Sequence, residues 1–394
     1  MNNLNKKIFR ELFQLKFQAI TISLVVASGV AIFIASLISY DSLWTARDKF
    51  YTNYYFSQGF VSLKRAPNSV NRRLEKIQGI GIVKTRIIQE GTIDFKEEIL
   101  PTSARFVSLT KGINEIALTS GRFPVTDQEV IVSESFAKAN KLNPGDKIST
   151  ILYGVRKSFV MVGTGLSPEY VYIFRVSNPM PDDKHYGVFW MNREALEKAF
   201  RMEGAFNDAV FTFIPGANTR SVLKEVDNVL ENYGGFGSYD RDKLPSYSFL
   251  RDEFKQLKTT AFMIPVIFLG VAAFLLHIVS TRLVSKEREQ IATLKALGYD
   301  NWTIALHYLK FISVISSLGS IVGIFLGIYL GELMTNLYGM YYRFPDLRAL
   351  FNPLHSVLGY IVGVGSGAVG ALFAIRQVLK LEPASAMRPP VPES

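Results

Sequence analysis

The stretch KEREQIATLKALGYDNW, Lys286 to Trp302, separates two long apolar runs. Glu287 and Glu289 stand early in it, where a helix dipole favours acids, and Lys295 stands late. Gly298 suits the left-handed residue that closes a helix, and Asp300 or Asn301 can cap the helix that follows. Val284, Arg288, Ile291, Leu294 and Lys295 fall near one face, with Lys286, Glu289, Gln290 and Thr293 on or near the other. A solvated charged loop would leave the apolar residues of so short a helix nothing to pack on. The spacing therefore predicts a short amphipathic helix tying two apolar segments together.

Those segments are long enough to cross a membrane, which takes about 20 apolar residues. Four qualify: Phe17 to Ser39, Thr259 to Ser280, Phe311 to Leu333, and Leu354 to Ile375. Only His277, Glu332 and His355 are ionisable within them, each near an end. Four such runs do not fit the buried helices of a water-soluble protein. The first run exceeds the usual apolar region of a cleaved signal peptide and is read as a retained anchor. Ahead of it, Leu4, Ile8, Leu12 and Leu15 recur at helical spacing, which predicts an amphipathic helix over 1–16 on the membrane surface.

Charge sets the expected orientation. Of the 44 Lys and Arg, twelve (Lys6, Lys7, Arg10, Lys16, Arg282, Lys286, Arg288, Lys295, Lys310, Arg376, Lys380 and Arg388) flank the spans on one side, against Arg343 and Arg348 in the other short loop. Basic residues stay cytoplasmic. Both termini and the 281–310 loop are thus expected inside, with 40–258 and the 334–353 loop outside. The net charge of +10 gathers beside the apolar segments rather than on a folded domain, so nucleic acid is not expected as a partner.

The 40–258 segment reads as α+β. FVSLK (Phe60–Lys64) is a strand, Pro67-Asn68-Ser69 a helix start, with Val70, Leu74 and Ile77 on one face, and IVKTRIIQEGTIDF a continuing strand. DAVFTFI (Asp208–Ile214) followed by Val222, Val226, Val229 and Leu230 repeats the pattern. Two such units separated by a strand-rich insert, about 100–200, predict a split α/β core with a second subdomain mounted on it. The insert carries turns at Gly121-Arg122-Phe123-Pro124, Asn143-Pro144-Gly145-Asp146 and Asn178-Pro179. The fold class is an α-helical membrane protein with four transmembrane helices and a large α+β domain between the first two.

Several chemistries are excluded or unsupported. The chain has no cysteine, and its four histidines (His185, His277, His307 and His355) are scattered, so thiol chemistry is excluded and a histidine metal site is not expected. Ser133, His185 and the aspartates share no catalytic spacing. Gly234-Gly235-Phe236-Gly237 lacks the lysine and hydroxyl residue of a phosphate loop, and no GxxxxGK[ST] occurs anywhere. The chain is not expected to be an enzyme or to bind a cofactor itself. Gly319, Gly323, Gly327 and Gly331 in the third run, and Gly359, Gly363 and Gly367, continued by Ala371, in the fourth, form stripes that let helices approach closely. They are expected either to pack the last two spans together or to face a second copy or another subunit.

Arg288 to Gly298, REQIATLKALG, resembles the cytoplasmic motif of the FtsX-like ABC transporter permeases, the group of MacB, FtsX and LolC/LolE. Gly121-Arg122-Phe123-Pro124, Glu129 to Glu134, and Leu142 to Asp146 resemble motifs of the MacB-type periplasmic core domain. The tail Leu381 to Pro389 resembles the family's closing pattern, and one span, an outer domain and three spans is its arrangement. The motif's usual acid, eight residues before the glycine, is here Gln290, with Glu289 one place earlier.

The resemblance implies an FtsX-like permease domain at about 259–380 in a bacterial inner membrane. It implies that Glu287, Arg288, Glu289, Gln290, Ile291, Leu294, Lys295, Leu297 and Gly298 dock on a separate ABC ATPase subunit that binds the ATP. A homodimer or a second permease half, a membrane-fusion or periplasmic adaptor protein, and membrane lipids are the other partners expected. The Pro-rich end, Pro389 to Pro392, fits a linker to such a second half. The expected function is to pass ATP-driven motion, by mechanotransmission, to work outside the membrane on a lipoprotein, lipid, peptide or amphiphilic drug. The alternative is a regulator of the FtsX kind that activates a cell-wall hydrolase or a sensor.

Overall fold

The computed structural model describes residues 13, 15–95, 100–175, 178 and 180–380, with the side chains of 373–375 and 377–380 excepted. The amphipathic helix expected over 1–16 (all but Phe13, Leu15 and Lys16), Pro179, and the 381–394 tail motif lie outside them. The order is α1 (Lys16–Asn53), β1 (Gly59–Pro67), α2 (Asn71–Glu75), β2 (Ile80–Arg86), β3 (Ile88–Ile93), β4 (Thr102–Ser108), β5 (Ala117–Gly121) and β6 (Glu129–Ser133). Then come α3 (Glu134–Ala139), β7 (Lys147–Leu152), β8 (Val155–Leu166), β9 (Tyr186–Met191), α4 (Arg193–Phe200), β10 (Ala205–Phe213), α5 (Thr219–Leu230) and β11 (Gly235–Asp240). Four helices close the chain: α6 (Pro245–Lys286), α7 (Arg288–Ala296), α8 (Asn301–Tyr338) and α9 (Pro353–Lys380). The chain divides into a membrane unit (1–43, 254–337, 348–394) and an α/β unit (44–253, 338–347). The divisions at 43/44, 253/254 and 337/338 fall inside α1, α6 and α8. These helices outrun the apolar stretches because hydropathy marks where a chain meets lipid, not where its backbone hydrogen bonds end.

In the membrane unit, α1, α6, α8 and α9 are each long and apolar enough to span a bilayer. Their common core includes Val26, Val30, Ile34 and Ile38 of α1, Leu276 of α6, Ile312 and Ile315 of α8, and Ala371 of α9. The glycine stripe of α8 faces α1. A methyl placed on Gly319 would sit 2.6 Å from the Ser23 carbonyl oxygen, one on Gly323 2.7 Å from that of Ala27, and one on Gly327 2.8 Å from Ile34 Cβ. Gly331 meets Ile38 in the same way. The expectation that the stripes either pack the last two spans together or face a second copy or another subunit did not include α1. Instead Gly359, Gly363 and Gly367 of α9 lie against Val30 and Ile34 of α1 and against Ser320 and Ser316 of α8. The serines face α9 and the glycines face α1, so α8 presents a different small residue to each neighbour. This is how helices gain adhesion where lipid supplies no hydrophobic drive.

The α/β unit has two sheets. The smaller, ordered β11-β1-β10-β2, is antiparallel and is covered by α2 and α5. Asn218 caps α5 by accepting from the Ser221 N–H, and Val222, Val226 and Leu230 bury its apolar face. The larger is ordered β5-β8-β6-β9-β4-β3-β7, and β7 also pairs with the first half of β8, which closes a ring. All six residues of β9, YGVFWM, are buried, so both faces of this strand are covered. Phe106, Phe136 and Phe189 meet edge to face at 5.3 Å on one side of it, and Trp190 anchors the other.

The run expected as one strand, Ile82 to Phe95, is broken. It leaves the small sheet at Arg86 and joins the large sheet at Ile88. Ile87, fully buried, stands at the crossover: its N–H donates to the Ser108 hydroxyl, and its C=O accepts from the Ser108 N–H in continuation of the β3–β4 register.

The motif residues of the insert have structural work. Arg122 grips Glu129 with two bonds of 2.9 and 2.6 Å, and Glu129 also accepts from the N–H groups of Val125 and Thr126. These bonds, led by Arg122, hold the Glu129 carboxyl down at about 2. Its contribution is complete above the ordinary carboxylate range and is lost progressively as pH falls from there through about 2. Gly121 has φ +79°, and a methyl there would stand 2.6 Å from Gly163 Cα. Gly121→Ala is expected to lower stability by at least about 1 kcal/mol, read as a lower melting temperature of the full chain. Asp146 accepts from the Asn143 N–H, and Gly145, at φ +108°, donates to Met161 O, closing the second turn.

Candidate functional site

The Lys286–Trp302 stretch folds as a helix, a single-residue break and a second helix. The Glu287 N–H donates to Leu283 O, and Glu287 O accepts from Ile291, so the hydrogen-bond ladder passes through the break. After α7, Gly298 adopts φ +90° and donates to Lys295 O, while Tyr299 donates to Leu294 O. This is the glycine-closed end expected. The Asp300 carboxylate accepts from Trp302 N at 3.1 Å and opens α8.

The inner face of α7 is anchored. Ile291 and Ala292 are each 1% exposed, and Leu294 packs half-buried against the bundle core. Glu287 is buried, and its carboxylate accepts a 2.8 Å hydrogen bond from the Tyr308 hydroxyl of α8. Glu287 and Ile291 therefore point into the bundle, and Arg288 and Lys295 lie at its margin. Glu289, Gln290, Leu297 and Gly298 are exposed, with Leu297 at 73%. Tyr299 and Trp302 stand exposed beside them. Of the nine residues expected to dock, four lie exposed on the outer edge, and Tyr299 and Trp302, which the sequence reading left out, lie exposed on the turn beside them. Their signal was present: large apolar side chains immediately after a helix-closing glycine.

A buried charge cluster in the α/β unit was not foreseen. Arg86, at the end of β2, donates from Nε to Asp208 of β10 at 2.5 Å and grips Glu169 with two bonds of 2.5 and 2.7 Å. Asn114 donates to Glu169 at 2.9 Å, and Ser62 to Asp208 at 2.9 Å. Glu169 sits in a short 3-10 turn just after β8, so the cluster joins the two sheets. Burial, with Glu169 adding, raises the Asp208 carboxyl to about 6 against the pull of Arg86. Ser133 accepts from the Val188 N–H, and His185 Nδ1 lies 2.9 Å from Asp182. Among the described residues no group of His, Asp and Glu is placed to hold a metal ion.

Four spanning helices around this turn define a multi-pass membrane protein. Residues 262–383 match the FtsX-like permease C-terminal family, and the chain is similar to ABC transporter permeases. It is 27% identical over 208 residues to an uncharacterized ABC transporter permease of Methanocaldococcus jannaschii, covering 50% of each chain. It is 23% identical over 210 residues to another of Mycoplasma genitalium, covering 49% of this chain and 16% of that one. The chain thus spans half the length of the first relative and a sixth of the second. Among solved structures, it is similar to the periplasmic region of MacB from Actinobacillus actinomycetemcomitans, with 12% identity, 50% of this chain, 92% of that one and a TM-score of 0.32. The extracellular domain of YknZ, a noncanonic ABC-type transporter from Gram-positive bacteria, gives 11%, 47%, 98% and 0.31.

Proposed function

We propose that this chain is the permease subunit of an ABC transporter whose separate ATPase docks on the outer edge of α7. The observation that carries the reading is the two-sided build of that helix. Its inner face is fixed by Glu287, Tyr308, Ile291 and Ala292, and its outer edge leaves Glu289, Gln290 and Leu297 exposed. A push on the outer edge is delivered to the bundle because the inner face cannot slide independently. In this reading 1–16, 281–310 and 376–394 are cytoplasmic, and 40–258 works outside on a lipoprotein, lipid, peptide or amphiphilic drug. The spans are 17–39, 259–280, 311–333 and 354–375, and a second copy or permease half completes the transporter. Four spans without a chain of lipid-buried charges favour mechanical transmission over an ion route.

The test is co-purification of the full chain with candidate ABC ATPase subunits of the same cell, with and without Leu297→Asp. Charging an exposed apolar anchor is expected to weaken the complex about thirtyfold, by about 2 kcal/mol, and to remove permease-dependent ATP turnover. The melting temperature of the permease should not change. Unaltered binding and turnover would sink the docking claim. Leu294 is unsuitable for this test, since a charge there would strike the bundle core as well.

A further inference from the structure

Between α1 and α8 runs an open apolar groove of about 330 Å³. Ala19, Ser23, Ala27 and Gly319 make its floor, and Ile20, Leu24, Leu318 and Val322 its walls. The Ser23 hydroxyl is already used, donating to Ile315 O at 3.0 Å. The groove interior therefore offers apolar surface alone. At its mouth stands Lys16, exposed, with its ammonium 5.3 and 5.4 Å from the ring centres of Phe13 and Phe17.

We propose that this groove holds one acyl chain of an anionic phospholipid, with Lys16 on the headgroup phosphate. Two observations select that occupant. Lys16 to Ala27 spans eleven residues, about 16 Å of helix, which matches half of a hydrocarbon core about 30 Å thick. Among the described lining residues the one charged group, Lys16, is a cation at the end of the groove, with the exposed rings of Phe13 and Phe17 beside it, and a cation there attracts an anionic headgroup. The inference rests only on the membrane spans and is independent of the ATPase-docking reading.

The chain lacks cysteine, so single labels can be placed cleanly. Ile321→Cys, exposed beside the groove, and Val266→Cys, exposed on α6 away from it, each take a bimane fluorophore. The full-length protein is reconstituted in phosphatidylcholine vesicles with brominated phosphatidylglycerol or brominated phosphatidylcholine as quencher. At position 321, phosphatidylglycerol is expected to reach half-quenching at about fivefold lower mole fraction, the effect of one lysine on an anionic headgroup. Lys16→Gln should cut that preference below twofold, and Val322→Trp, which fills the groove, should weaken quenching by both lipids. Position 266 should show no preference. Equal quenching by the two lipids at 321 would reduce the groove to ordinary lipid boundary and overturn the proposal. A preference that survives Lys16→Gln, or a label that no lipid reaches, would overturn it too.

Discussion

Gly323→Leu is expected to abolish the folded membrane unit. Even a single methyl at this position would lie 2.7 Å from the Ala27 carbonyl oxygen and 3.0 Å from Ala27 Cα. Both are backbone atoms, which no rotamer change can move aside. Overpacking a compliant core costs about 1–3 kcal/mol. Here the whole parallel run of α8 against α1, from Gly319 to Gly331, would have to separate, so the loss should exceed about 3 kcal/mol. Size-exclusion chromatography of the detergent-solubilised chain should show aggregate in place of a single peak. Gly365→Leu and Gly270→Leu provide the controls, because nothing lies within 4 Å of a methyl at either position. Both should elute and melt as the parent does. A normal peak and melting temperature for Gly323→Leu would mean that α1 and α8 do not approach this closely.

The glycine stripes show where sequence reading reaches its limit. That they pack helices was legible, since four glycines at i, i+4 spacing leave one face of α8 without side chains. Which helix they meet was not, because the choice is made by the other faces: Ser316 and Ser320 take α9, which leaves the glycines for α1. The α7 turn was legible almost to the residue, since dipole-placed acids, a closing glycine and a capping aspartate are local signals. Glu287 was the exception. Its early position fits a dipole role, but the hydroxyl that claims it belongs to Tyr308, one helix further on.

In the α/β unit, both β–α repeats could be read from periodicity. The break at Ile87 could not, for Arg86-Ile87-Ile88 contains no turn residue and the partners that divide it, β10 and β4, are distant in the chain. Ring closure was likewise hidden, since the long β8 shares its edges among three strands.

Arg86→Met should be the most damaging single change in the α/β unit. Arg86 lies 83 residues from Glu169 and 122 from Asp208, so no spacing in the sequence announces the cluster. One guanidinium serves two carboxylates, all three nearly buried, with exposures of 3%, 6% and 8% for their side chains. Removing it leaves both acids without a cation, and breaking a buried pair in this way costs about 3–5 kcal/mol. The pH dependence has a definite sign. In the parent, burial raises the Asp208 carboxyl from 3.8 to about 6, so the native state holds a proton that the unfolded chain has released. That contribution is fully present below about 4 and is lost as pH rises through about 6. Without Arg86 the acids should favour protonation further, so the deficit of Arg86→Met should shrink as pH is lowered from 8 towards 4. Thermal unfolding of the full chain across that range measures both effects. The triple variant Arg86→Met, Asp208→Asn, Glu169→Gln should recover much of the loss, because neutral groups carry no unpaired charge into the interior. If the single variant melts like the parent at pH 8, the cluster contributes nothing to joining the sheets. A deficit that does not change with pH would mean that the lost stability comes from packing rather than from the two acids.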